Sequence, residues 1–184
     1  DGIGMACGVI IDSELAGDNT NGIDALTAIG TDNVDVTDDN LLAAEVVLDN
    51  AFAPHTGRFL VVSPATKAGL LKIDRIASQL YRPHLSTVDM KSGNEPSIRG
   101  LSEVGYIGDA YSFRTYVSGN LEAGTAGKKN GAFHQECIAY AEQKGLTMVK
   151  DLNVEDGLFD QYVGYVVYGF KLIKSGFGRE LDGK

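Results

Sequence analysis

The run Gly57-Arg58-Phe59-Leu60-Val61-Val62-Ser63-Pro64-Ala65-Thr66-Lys67-Ala68-Gly69-Leu70-Leu71 constrains the fold more than any other stretch of the chain. Phe59 to Val62 is a continuous run of β-branched, aliphatic and aromatic residues, which predicts a strand buried on both faces. Ser63 is a helix N-cap by type, and Pro64 takes the first helical position, where a missing N–H costs nothing. One short stretch therefore writes a strand, a boundary and a helix, and its content is architectural rather than catalytic.

The flanking segments extend this pattern. Ile3, Ala6, Ile10, Ile11 and Leu15 predict a helix at the start, against which Gly2, Gly4 and Gly8 weigh. Because the chain opens at Asp1 with no initiator methionine, the expectation is a fragment entered within a helix. Residues 17–36 read as a turn-rich connector with a short apolar piece around Leu26 and Ile29. Thr37 then caps a helix whose first turn carries Asp38 and Asp39, where the helix dipole favours negative charge. Leu41, Ala43, Ala44, Val47, Leu48, Ala51 and Phe52 are predicted to form its packed face. Leu42 and Val46 point elsewhere, as a subunit contact or as ordinary surface aliphatics.

Pro54 ends that helix. Residues 82–104, with Pro83, Gly93, Pro96 and Gly100, read as a long projecting loop. Tyr106-Ile107 and Ala110 to Val117 are predicted strands joined by a turn at Gly108-Asp109. Gly119 to Gly131 reads as a flexible turn. Residues 132–144 have helical spacing, with Phe133, Cys137, Tyr140 and Ala141 on one face and Lys144-Gly145 closing it. Leu146 to Val149 and Tyr162 to Ile173 are predicted strands. The order of elements predicts an α+β fold with a central mixed or antiparallel sheet flanked by helices.

Composition limits the function. The 184 residues, 43% of them hydrophobic, suffice for a real core of one large domain or two small ones. A net charge of −9 argues against a nucleic-acid groove or an anionic membrane surface as the main partner. Cys7 and Cys137 follow no zinc or redox spacing, which makes a reducing compartment the default. No apolar stretch approaches the roughly 20 residues of a membrane span, so the chain reads as soluble.

Candidate chemistry is sparse. Glu122-Ala123-Gly124-Thr125-Ala126-Gly127-Lys128-Lys129 resembles a phosphate loop, but Glu122 stands where its first glycine belongs and Lys129 where the magnesium-binding hydroxyl belongs, so a hairpin tip is expected. Asp35, Thr37 and Asp39 have calcium-loop spacing, with Asn40 at the glycine position and Val46 at the glutamate position. Asp151, Asn153 and Glu155 fail in the same way at Asp156 and Tyr162. His134 and Cys137, one helical turn apart, are two potential ligands without a second pair, so both are assigned to the core. His55 and His84 occupy turn and loop contexts, and neither Ser63 nor Ser118 sits on a nucleophile elbow. No residue is assigned a catalytic, cofactor-binding or metal-ligating role.

Three segments, in order, carry a resemblance: Asn50 to Leu71, Gly105 to Leu121, and Phe133 to Ala141. Together they resemble the major capsid proteins of tailed bacteriophages, which share the Hong Kong ninety-seven fold, and the resemblance spans most of residues 37–173. It implies that Asp1 to Leu15 is the end of a spine helix, and that the N-terminal arm, the extended loop and most of the spine are absent. It further implies that residues 1–56 hold the spine end and part of a peripheral domain. Residues 57–184 would be mainly an axial domain with a return to the periphery.

The implied function is structural: a non-enzymatic coat subunit, found in the virion after assembly in the host cytoplasm. It would associate with itself in pentamers and hexamers and with scaffolding, portal or decoration proteins, and would enclose DNA without gripping it. An encapsulin-type compartment has the same fold. The alternative is a soluble α+β enzyme or ligand-binding domain with a site among the acidic loops and His84 or His134.

Overall fold

The computed structural model describes residues 2–80, 105–153 and 159–184. The chain runs through α1 (Gly2–Gly17), a 3₁₀ turn (Ile23–Ala25), β1 (Ala28–Gly30), α2 (Asp38–Asn50), β2 (Arg58–Val62), α3 (Pro64–Leu70) and α4 (Asp74–Leu80). It continues through β3 (Tyr106–Ala110), β4 (Phe113–Val117), β5 (Lys128–His134), β6 (Ile138–Asn153), β7 (Phe159–Leu172) and β8 (Gly178–Gly183). The loop expected at 82–104 lies outside the described residues, as do His84 and the side chains of Asp151, Asn153 and Glu155.

Six strands form one sheet in the order β1-β8-β5-β2-β4-β3. The β1–β8 and β2–β4 pairs are parallel and the other neighbours antiparallel, so the sheet is mixed, as the order of elements predicts. Strand alternation sends Arg58, Leu60 and Val62 to one face, where they meet Leu41, Ala44 and Leu48 of α2, Leu70 of α3, Ile76 of α4, and Phe113, Ala132 and Leu181. Phe59 and Val61 point the other way and are only half-buried, so β2 is not sealed on both faces.

Two caps behave as their residue types require. Thr37 accepts from the Asn40 N–H at 3.3 Å, and Ser63 Oγ accepts from the Thr66 N–H at 3.0 Å with Pro64 next in line. Asn130, fully buried on β5, ties three strands together. Its Oδ1 accepts from the Ser63 N–H at 2.8 Å, and its Nδ2 donates to the carbonyls of Leu181 at 3.0 Å and Lys128 at 3.2 Å. A buried amide with its capacity used in this way fixes register more than it adds stability.

Several expectations are corrected. Residues 132–144 are not a helix: β5 runs to His134, Cys137 N–H closes a turn on the His134 carbonyl at 2.8 Å, and β6 starts at Ile138. The 3.6-residue spacing of Phe133, Cys137 and Tyr140 is genuine but yields to pairing. Phe133 and His134 face Phe59 and Arg58 on β2, and Tyr140 faces Phe170 on β7. The β3–β4 turn falls at Tyr111-Ser112, with Tyr111 at φ 54°, while Gly108 at φ 137° serves the register shift within β3. On α2, Ala43 and Phe52 leave the expected packed face, and Phe52 is 91% exposed beyond the end of the helix. On α1, Ile3, Ile11 and Leu15 turn inward, while Ala6 and Ile10 are exposed.

Candidate assembly surfaces

Among the described residues, Ser63, His134 and Cys137 are taken up by the fold. Ser63 Oγ donates to the Lys184 carbonyl at 2.8 Å as well as capping α3. His134 pairs with Arg58 at the opposite end of β2, about five residues or roughly 16 Å along the strand from Ser63, so the two form no dyad. His134 Nδ1 accepts from the Glu136 N–H at 3.2 Å, which leaves Nε2 to donate to the Thr56 carbonyl at 3.0 Å. With its lone pair used, the imidazole cannot ligate a metal. Burial pushes the Cys137 thiol up to about 11, so it stays protonated and unreactive. Both residues sit in the interior.

The phosphate-loop look-alike is a hairpin tip. Gly124 N–H meets the Gly127 carbonyl at 2.9 Å, Ala126 N–H donates to Asp32 Oδ2 at 2.8 Å, and Lys129 N–H donates to the Glu122 carbonyl at 3.0 Å. Lys128 Nζ donates to the Leu121 carbonyl at 2.9 Å and Lys129 is held by Asp24, so neither ammonium is offered to a phosphate. Asp35 lies 3.7 Å from Lys72 and 3.5 Å from Lys184, and Thr37 is a cap, so the first calcium-like spacing is a helix start with surface ion pairs. His55 is exposed beside Asp49. Among the described residues, no group of three or more His, Cys, Asp or Glu side chains is placed to hold a metal ion, and no helix is long and apolar enough to cross a membrane.

What distinguishes the surface is apolar area that no core claims. β6 and β7 pair only with each other, as a long antiparallel ribbon outside the six-stranded sheet. One face of the ribbon meets α1. Ile3 fits over Gly164, where a Cβ would come within 2.3 Å of its Cγ2, and Tyr168 hydrogen-bonds Glu14. On that face Tyr140 stacks on Tyr168 at 6.0 Å and Tyr168 on Phe170 at 6.5 Å. The opposite face carries Val149, Val163, Tyr165 and Val167, all exposed, with Lys144 set over the Tyr165 ring at 4.6 Å. Met5, Val9 and Ile10 extend the uncovered apolar area along α1.

A second such surface lies on the face of the sheet turned away from α2, α3 and α4. Tyr106, Tyr116, Phe59 and Phe133 form a half-buried aromatic ladder across β3, β4, β2 and β5, with successive ring centroids 5.4, 6.0 and 6.4 Å apart. Farther along the same face, Lys129, Asp24, Glu180 and Asp182 form a charge cluster in which Glu180 is buried and the others are partly exposed. Desolvation, helped by a hydrogen bond with Asp182, raises the Glu180 carboxyl to about 7 although Lys129 opposes the shift. The strand alternation of Val163, Tyr165 and Val167 is legible in the sequence but their exposure is not, because alternation cannot say which face finds a neighbour.

No family model matches the sequence, and no curated protein matches it. Solved structures do match. A chain from Mycobacterium phage Che8 is 23% identical, with a TM-score of 0.64 over 97% of this chain and 59% of its own. What is shared is the fold. The mature capsid of bacteriophage PhiM1 matches at 15% identity and a TM-score of 0.53, over 97% of this chain and 62% of its own. The holo-SrpI encapsulin complex from Synechococcus elongatus PCC 7942 matches at 13% identity and 0.59, over 97% and 62%. The chain therefore spans about three fifths of the length of the structures it matches. The mixed α+β architecture expected from the sequence is that of these capsid and encapsulin chains.

Proposed function

We propose that this chain belongs to a major capsid subunit of a tailed bacteriophage and acts by repeating itself in a closed shell. The observation that carries the reading is the fold match over 97% of the chain, joined to apolar surface on the ribbon that no core needs. A subunit that completes its hydrophobic burial only beside its neighbours exposes such surface when alone. In this reading the six-stranded sheet with α2, α3 and α4 is the axial body, which takes β1 and α2 out of the peripheral part expected for residues 1–56, because α2 packs on the sheet. α1 and the β6–β7 ribbon are the peripheral part, with the ribbon as the return of the chain to the periphery.

The subunits group in pentamers and hexamers, with scaffolding, portal or decoration proteins as further partners and the virion as location. No catalytic step is assigned. Electron microscopy of the complete protein tests the reading: closed particles are expected, and their absence under every assembly condition counts against it. The encapsulin match favours a second reading, a cellular compartment shell. Particles that carry a protein cargo and no DNA would decide for the compartment.

A further inference from the structure

Two glycines seat the 3₁₀ turn on the sheet. A Cβ at Gly131 would come within 3.0 Å of Ile23, and one at Gly178 within 2.8 Å of Leu26, so both buried aliphatics rest on bare backbone. Gly131 stands directly opposite Glu180 in the β5–β8 ladder, and Gly178 precedes Glu180 by two residues, on the same face of β8. Ile23 and Leu26 therefore flank the Glu180 side chain, which is 5% exposed. Just beyond the turn, the Thr27 carbonyl accepts from the Glu180 N–H at 3.2 Å.

The charges beneath this cover do not balance. Lys129 of β5 faces Glu180 at 3.7 Å and is already held by Asp24 of the turn. Asp182 hydrogen-bonds Glu180 from the same strand, while β1 sets only Ala28 beside it. Three carboxylates meet one ammonium, and the most buried of them is the one that takes a proton. Once Glu180 ionises, the cluster must hold a second net negative charge out of water. Lifting the turn relieves this directly, because it hydrates Glu180 and carries Asp24 away.

We propose that the 3₁₀ turn is a proton-operated latch: loss of the Glu180 proton releases the turn, and with it the end of α1, from the sheet. Gly22 packs so closely on α1 that a Cβ would come within 2.3 Å of the Leu15 carbonyl, and its N–H donates to the Asp18 carbonyl at 2.9 Å. Turn and helix end therefore move as one piece, while Ile3 and Glu14 keep α1 on the ribbon. The latch belongs to the single chain and does not rest on the shell reading. Burial raises the Glu180 carboxyl to about 7, and hydration in the open turn returns it to the ordinary range, so the closed turn binds the extra proton. Closure is firmest below the ordinary carboxylate range and weakens as pH rises through about 7.

Native-state hydrogen exchange on the full chain tests this, with rates corrected for the intrinsic effect of pH. In the wild type the Leu26 amide, bonded to the Ile23 carbonyl at 3.0 Å, should show a roughly tenfold larger opening constant at pH 8 than at pH 6, with little dependence on low denaturant. Glu180→Gln should keep the turn closed at both pH values. Ile23→Ala, which admits water to Glu180, should open the turn at both and flatten the pH step. Amides of β2 report global unfolding separately, through its steep denaturant dependence. A wild-type opening that ignores pH, the same pH step in Glu180→Gln, or a Leu26 opening as denaturant-dependent as that of β2 would overturn the latch.

Discussion

The guanidinium of Arg58 is 1% exposed and holds the end of α2 through the Ala53 and Pro54 carbonyls, Asp49 Oδ1 at 2.6 Å and Ser112 Oγ at 3.3 Å. Asp49 is half in solvent, so the ion pair itself contributes little and the carbonyl bonds dominate. Arg58→Met should lower the unfolding free energy by about 2–4 kcal/mol in urea titrations, because it strands buried acceptors. Arg58→Lys should recover only part of that, since an ammonium cannot serve carbonyls in several directions. Ser63 and Thr37 were readable from the sequence because a cap is a local device, completed within three residues. Phe52 was not. Its spacing continues the apolar face of α2, and only the hydrogen bonds that end the helix turn it outward.

Single elements were readable where their pattern and their pairing agree. α2, β2 and α3 are such cases, and the helix expected over 132–144 is the opposite one. Phe133, Cys137 and Tyr140 satisfy both a helical face and two strands, and long-range pairing with β2 and β7 settles which forms. Between elements, the Glu180 cluster joins β8, β5 and the 3₁₀ turn through Lys129 and Asp24, and it carries a pH signature. Glu180 is raised to about 7 by burial, above its unfolded value, so the folded chain binds the extra proton. That contribution is complete below the unfolded pKa and is lost as pH rises through about 7. Between about pH 5 and pH 8, wild-type stability should therefore fall by roughly 1–3 kcal/mol more than that of Glu180→Gln. Equal slopes in paired denaturant titrations would mean that Asp24, Asp182 and Lys129 absorb the charge without cost.

For the whole molecule, a net charge of −9 sets the relation to any enclosed genome. The chain should not retard duplex DNA in gel-shift measurements at about 100 mM salt, because its net negative charge is repelled by the polyanion. A retarded band would require the charge to be distributed far less evenly than its sum indicates. The sequence by itself determined the composition class, the caps, the strand–helix handover at 57–71 and an α+β order, each of which depends on neighbours in the chain. Only the tertiary structure decided that β6 and β7 stand apart as a ribbon, that one face of it stays bare and that Phe52 points into water. Burial is a property of what lies across space, and periodicity records only that a face exists.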